Sequence, residues 1–348
     1  MRFTLNDIAQ KAQVSTVTVH KVLHGKPGVS ESTRARILKI VEEMNYVINP
    51  MASSLKRETL TIAIIYPELE EELNYFFKQI RQGVDAAENS LKDFNVSLIR
   101  YTCGETWQEQ AKILEKLAEE QSVDGVVIYC WDDEALNPYF DTLETHNIPV
   151  VTFHSDAVNS CRIASVTAPD VKTGELAAEF MSMIVPNPGH LLVLSGNTMQ
   201  KVLRDNASGF HDYLHENRPD LKILELKNFQ TSEQLFDLIP KYQQVFNELQ
   251  GIYCTNARNS LFLCRAIEKY HIKGLKIITS DVFIELKPYF ENGIISGTIW
   301  QDPVHQAYDA IMLMSDYLIK RPFSKGTHSL VKIAIIMKNN FDFFLPNE

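Results

Sequence analysis

Thr4-Leu5-Asn6-Asp7-Ile8-Ala9-Gln10-Lys11-Ala12-Gln13-Val14-Ser15-Thr16-Val17-Thr18-Val19-His20-Lys21-Val22-Leu23 is the stretch on which the reading of this chain turns. Thr4 carries a hydroxyl that can cap a helix, and Leu5, Ile8, Ala9 and Ala12 recur at the spacing of one helical face. A tight break falls at Gln13-Val14. Ser15 offers a second cap, and Val17, Val22 and Leu23 interleave with Thr16, Thr18, His20 and Lys21, which predicts a second helix with one dry side and one donor-rich side. A third helix is marked by Ser30 as cap, Glu31 in the first turn, and Ile37, Leu38, Ile40, Val41 and Met44 as a buried stripe. Three such helices make a helix-turn-helix core, and the donor-rich side is what the major groove of DNA requires.

Charge supports that assignment. Residues 1–57 carry nine Lys and Arg against four acids, whereas the remainder carries 25 against 40. A basic head on an acidic chain confines a nucleic-acid contact to the head. The 45% hydrophobic and 22% charged content is that of a globular protein. There is no apolar run of about 18 residues, and the N-terminus reads as a helix cap rather than a signal peptide, so neither membrane insertion nor secretion is expected and the location is expected to be cytoplasmic. Cys103, Cys130, Cys161, Cys254 and Cys264 are odd in number, widely spaced and without CxxC pairs, which fits free thiols and no metal site.

Beyond the head, close to 290 residues are too many for one compact core and suit two lobes. Short apolar runs alternate with amphipathic helices: Thr61–Tyr66, Ser97–Tyr101, Gly125–Tyr129 and Val150–Phe153, then Leu191–Leu194, Ile223–Leu226, Gly251–Cys254 and Ile277–Thr279. Helices such as Phe77–Leu91 and Gln108–Glu120 supply the crossovers. The rhythm repeats on either side of about Ser165, predicting two parallel sheets flanked by helices, with a ligand cleft at the strand ends. The tail Phe341-Asp342-Phe343-Phe344-Leu345 reads as a final strand or a packing tail. No GxSxG, GxxxxGK[ST], strand-linked GxGxxG or HExxH occurs, and His211 and His215 lack the Glu of a hydrolytic zinc motif, so no enzyme reaction and no cofactor are expected.

Val14 through Ser30, together with Thr4-Leu5, Asn45-Tyr46-Val47-Ile48-Asn49-Pro50 and Ala52-Ser53-Ser54-Leu55, resembles the lactose-repressor family of transcription regulators. The resemblance spans nearly the whole chain. It implies an all-α helix-turn-helix head over residues 1–47, a hinge helix over 48–59, and an α/β two-lobed periplasmic-binding-protein-like domain over 60–348. It further implies a homodimer on a pseudo-palindromic double-stranded operator, and a small-molecule effector, foremost a carbohydrate with nucleobases and other metabolites behind it. Position by position, Thr16 and Val17 fall where the family reads base edges, and Lys21 falls where it usually has an arginine, which removes the bidentate fork. Thr4, Thr18, His24, Ser30 and Asn49 fall on phosphate-binding positions, with Leu5, His20 and Ala52 beside them, and Leu55 matches a leucine wedged between base pairs. Val19, Val22 and Leu23 read as core.

For the cleft, Asn74-Tyr75-Phe76-Phe77 looks like the family's aromatic segment after the first strand. Its candidates are Asn74, Phe76 and Phe77, followed at later strand ends by His154, Ser155, Arg204, Asn206, Phe229, Asn256, Asp281 and Gln301. A helix N-cap is the alternative use of Asp281, and a satisfied structural histidine that of His154. His154-Ser155 stands where ribose-binding relatives carry Asp-Arg, Asn206 where the family has a clamping arginine, and Ala257-Arg258 in place of an acidic residue after Asn256.

Overall fold

A computed structural model of the chain describes residues 5–23, 26–44, 58–68, 75–186, 188–197, 200–227, 236 and 248–345. Two compact units separate between Arg57 and Glu58. In the first, helices α1 (Leu5–Ala12), α2 (Thr16–Leu23) and α3 (Glu31–Glu43) enclose a core of Ile8, Ala9, Ala12, Val19, Val22, Ile37 and Ile40. Gln13 ends α1 in the left-handed region (φ 54°), which turns the chain tightly into α2. The Ser15 hydroxyl accepts from the Thr18 amide at 3.2 Å, and the Ser30 hydroxyl caps α3 by accepting from the Thr33 amide at 3.4 Å. Two expectations fail here: Val17, placed on the dry side of the second helix, is 63% exposed because Val19 and Val22 take the buried face, and Leu38 is 48% exposed because it sits next to Ile37 around the helix and a 100° rotation carries it off the narrow buried stripe.

The second unit contains, among its described residues, two six-stranded sheets. The first runs β11-β5-β4-β3-β1-β2, where β1 is Leu60–Pro67, β2 Val96–Cys103, β3 Gly125–Tyr129, β4 Val150–His154, β5 Ala164–Thr167 and β11 Thr327–Leu330. All its pairings are parallel. The second runs β12-β10-β9-β8-β6-β7, where β6 is Gly189–Gly196, β7 Leu221–Lys227, β8 Gly251–Cys254, β9 Lys276–Ser280, β10 Ile295–Trp300 and β12 Ala334–Ile336. It is parallel except where β12 runs against β10.

Parallel strands covered on both faces need apolar residues without alternation, and strand period then divides each run between two cores. Ile62, Ile64 and Tyr66 of β1 enter one core of the first lobe while Ala63 and Ile65 enter the other. Leu191 and Val193 of β6 are separated from Leu192 and Leu194 in the same way. Helices α4 (Tyr75–Leu91), α5 (Trp107–Glu120), α6 (Asn137–Thr145), α7 (Asp170–Ile184), α8 (Lys201–Asn217), α9 (Ala257–Lys269), α10 (Lys287–Glu291) and α11 (Pro303–Leu318) complete the two lobes. The chain crosses between lobes at residues 168–169, 301–302 and 331–333; α11 returns to the first lobe, where Ala307, Ala310, Ile311 and Met314 join its core. The tail forms a short 3-10 turn, Phe341–Phe344, rather than a strand, and Phe341 packs on Phe290 with ring centroids 4.9 Å apart. The two-lobed α/β arrangement is the one expected from the repeated strand–helix rhythm.

Candidate functional site

A cavity of about 420 Å³ opens between the lobes at the carboxyl ends of the strands, where ligands of open α/β sheets are held. Its first-lobe wall is aromatic: Phe76, Phe77, Tyr129 and Trp131. Tyr129 meets Phe77 edge-on at 5.4 Å, lies 5.4 Å from Trp131, and stacks on the His154 imidazole at 4.6 Å and 14°. Gln110, fully buried on α5, fixes the turn that presents Trp131: its amide NH2 donates to the Tyr129 carbonyl at 2.5 Å and its oxygen accepts from the Trp131 amide at 3.1 Å. The second-lobe wall is polar: Asn197, Gln200, Thr255, Asn256, Asn259 and Asp281. Asn256 uses its oxygen to cap α9, accepting from the Asn259 amide at 2.9 Å. Gly196 (φ 62°) passes so close that an added Cβ would lie 2.8 Å from the Asn256 side-chain nitrogen.

Two strand ends are left-handed without glycine, His154 (φ 69°) and Asp281 (φ 65°). Each such residue costs about 1 kcal/mol, and strain of this kind collects at functional sites. The Asp281 carboxyl is buried with one long partner, the Gln301 amide at 3.4 Å; burial pushes its pKa up to about 7 against the weaker pull of Gln301. It is not a helix N-cap, since the turn that follows begins after Phe283.

Asp281 and His154 are joined across the lobes. Gln306, fully buried on α11, donates its amide NH2 to the Gln301 backbone carbonyl at 2.7 Å, and its oxygen lies 3.2 Å from His154 Nδ1. A carbonyl can only accept, so the Gln306 oxygen is the end turned to the imidazole and Nδ1 carries the proton. Burial lowers the His154 pKa to about 4, with the Gln306 bond opposing, so the ring is neutral at pH 7 and Nε2 is an acceptor. Nearer the mouth, the Arg258 guanidinium reaches over from the first turn of α9 to both carboxylate oxygens of Glu105, one contact at 3.3 Å. Two further contacts join the lobes: the Gln79 amide donates to the Val282 carbonyl at 2.8 Å, and Tyr75 stacks on Phe283 at 4.5 Å.

Of the residues singled out from the sequence, Phe76, Phe77, His154, Asn256, Asp281 and Gln301 line this cavity. Three do not. Ser155 is buried with its amide turned back to the Phe153 carbonyl. Arg204 is exposed on α8, one residue beyond the lining pair Val202 and Leu203 and therefore about 100° round the helix. Asn206 is fully buried where α7 and α8 approach closely, an added Cβ at Gly174 lying only 2.0 Å from its carbonyl. Asn74 and Phe229 lie outside the described residues. Glu105, Tyr129, Trp131, Asn197 and Thr255 were missed, although all follow or close a strand; applying the strand-end rule to β2, β3, β6 and β8 would have found them.

In the head unit, α2 exposes Thr16, Val17 (63%) and His20, with Thr18 and Lys21 half-buried. Val19 and Val22 are buried and Leu23 packs on them, as read from the sequence. Leu5 packs on the core, and Ser30 is committed to capping. Thr4, His24, Asn49, Ala52 and Leu55 lie outside the described residues. Among the described residues, no helix is long and apolar enough to cross a membrane.

Comparison with known proteins bears on both units. Residues 4–49 match the family described as bacterial regulatory proteins, lacI family, and residues 69–322 match the periplasmic binding protein domain. The HTH-type transcriptional repressor PurR of Vibrio parahaemolyticus is 28% identical over 298 residues, covering 82% of this chain and 84% of that protein. The ribose operon repressor of Haemophilus influenzae is 28% identical over 216 residues, covering 61% of this chain and 60% of that protein. A solute-binding protein of an ABC transporter from Burkholderia graminis, solved in complex with D-arabinose, superposes with a TM-score of 0.74 at 18% identity over 83% of this chain and 99% of that one. With a helix-turn-helix head and a two-lobed binding unit both matched, the chain belongs to the lacI family of bacterial regulatory proteins and is a DNA-binding transcriptional regulator, not an enzyme.

Proposed function

We propose that this regulator's operator affinity is set by a small carbohydrate held in the cavity between its lobes. The observation that carries the reading is the pairing of an aromatic wall with a polar one around 420 Å³, a volume that suits a monosaccharide. Sugar C–H faces stack on aromatic rings, and sugar hydroxyls donate to buried acceptors such as Asp281 and His154 Nε2. The ribose operon repressor and the arabinose-bound solute-binding protein are similar chains whose names carry a pentose. A nucleobase is the second reading, favoured by the same rings, which stack a planar base as readily.

The remaining assignments belong to this reading. Thr16, Val17, His20 and Lys21 read the operator from α2, with Lys21 as a point charge in place of a bidentate arginine. Two copies bind a pseudo-palindromic site in the cytoplasm, because one recognition helix reads too few base pairs alone. Residues 1–47, 48–59 and 60–348 act as reader, hinge and sensor, with Leu55 as the minor-groove wedge. The test is a thermal-shift screen of the full chain against neutral sugars, sugar acids, sugar phosphates and nucleobases. A sugar hit that disappears with Asp281→Ala supports the reading; hits confined to nucleobases replace it with the second.

A further inference from the structure

The cavity contains a cation that is already spent. Among its described lining residues Arg258 carries the one guanidinium, and that group is 20% exposed and held by both oxygens of Glu105. The two partners come from opposite lobes: Glu105 follows β2 of the first, and Arg258 stands in the first turn of α9 of the second. The pair therefore forms only when the lobes face each other across the cavity, and in that state no unpaired positive group lines it among the described residues. The cavity offers acceptors in the Asp281 carboxyl and Nε2 of the neutral His154, beside the neutral amide donors of Asn256 and Asn259. A carboxylate or phosphate brings negative charge toward Asp281 and Glu105 with no free cation among the described lining residues to balance it, whereas a neutral hydroxyl both donates and accepts.

We propose that Glu105 and Arg258 are specificity-determining residues that restrict the cavity to uncharged, polyhydroxylated ligands, by committing its guanidinium to a carboxylate across the cleft. This rests on the carbohydrate reading and narrows it: phosphorylated and acidic sugars are refused, their neutral parents accepted. Sequence alone showed only that Ala257-Arg258 stands in place of an acidic residue after Asn256, not what Arg258 is paired with.

The test titrates the full chain calorimetrically with matched probes: D-ribose and D-ribose 5-phosphate, D-glucose with D-glucose 6-phosphate and D-gluconate, and D-galactose with D-galacturonate. Within any pair that binds, the neutral member is expected to be tighter by at least about tenfold, the scale of one unfavourable charge contact near a protein surface. Glu105→Gln releases Arg258 and is expected to narrow that ratio by about tenfold. The exchange Glu105→Arg with Arg258→Glu rebuilds the pair and restores the ratio, while an unchanged melting temperature of each variant shows the fold intact. An anion binding the unaltered chain as tightly as its neutral parent, or a ratio indifferent to Glu105→Gln, overturns the proposal and leaves the carbohydrate reading standing. Absence of binding by every sugar, neutral or charged, overturns the carbohydrate reading and the proposal with it.

Discussion

The two walls of the cavity are made by the same architecture and do opposite work. Each closes the carboxyl ends of a six-stranded sheet with flanking helices, yet the first presents Phe76, Phe77, Tyr129 and Trp131 and the second Asn197, Asn256, Asn259 and Asp281. The rings brace one another through edge and tilted contacts, and Gln110 holds the turn that presents Trp131. The polar wall is less complete: its carboxyl has one long partner, and the neighbouring Gln301 oxygen has none. On the proposed carbohydrate reading, the difference gives shape and area to the first lobe and orientation and discrimination to the second. Stacking tolerates many sugars, while an unsatisfied buried acceptor rejects whatever cannot supply its hydrogen bond.

The comparison breaks most sharply at Asp281. Asp281→Ala is expected to weaken sugar binding by about a hundredfold or more, because a charged hydrogen bond is worth about 1.5–3 kcal/mol and this carboxyl can receive two. Trp131→Ala, on the stacking wall, is expected to cost about tenfold, the scale of an aromatic contact worth about 0.5–1.5 kcal/mol. Calorimetric titration of both variants checks the order; a larger loss at Trp131 would mean that stacking, not the polar wall, dominates.

Protonation sharpens the same contrast. With its pKa up at about 7, Asp281 accepts best once ionised, so affinity is expected to rise from pH 6 to pH 8 in the unaltered chain and to stay flat in Asp281→Asn, as measured by titration at each pH. The stability of the ligand-free chain depends on the sign of each shift. Between its ordinary value of 3.8 and about 7, Asp281 binds a proton in the folded chain that it has released in the unfolded one, so its contribution falls as pH rises. Between about 4 and 6.5, His154 has lost in the fold a proton it keeps when unfolded, so its contribution rises with pH. The two slopes oppose each other over that window. Melting curves are expected to climb more steeply from pH 4.5 to 6.5 in Asp281→Asn than in the unaltered chain, and to descend in His154→Gln.

The smallest effect is expected at Asn206. Both ends of its buried amide are without a partner, so Asn206→Leu is expected to raise the melting temperature by a few degrees while leaving ligand affinity unchanged, the stability change being about 1 kcal/mol or more. Loss of sugar binding in that variant would return Asn206 to the site.

Much of this was legible in the residues. Apolar runs such as Ile62–Ile65 and Leu191–Leu194 admit few alternatives once helices flank them on both sides, and the break at Gln13 with its two capping serines marks the head. Strand-end position and a short polar side chain were enough to pick out His154 and Asp281. What failed depended on rotation and pairing, which sequence does not carry. Arg204 and Leu203 are neighbours in the chain but face different ways on α8, Leu38 sits one step off a narrow stripe, and Asn206 is claimed by the approach of α7 at Gly174. The Glu105–Arg258 pair joins residues 153 positions apart and opposite lobes, so neither residue announced the other.

The most direct test of the account is the anisotropy of a labelled duplex, selected by the full chain from a random pool, titrated with protein in the presence and absence of the sugar that the thermal screen identifies. The account predicts that the sugar changes operator affinity by at least about tenfold, as an allosteric coupling of 1–3 kcal/mol requires, and that Asp281→Ala abolishes the change while leaving sugar-free DNA binding intact. An operator affinity indifferent to the sugar, or one that still responds in Asp281→Ala, would contradict it.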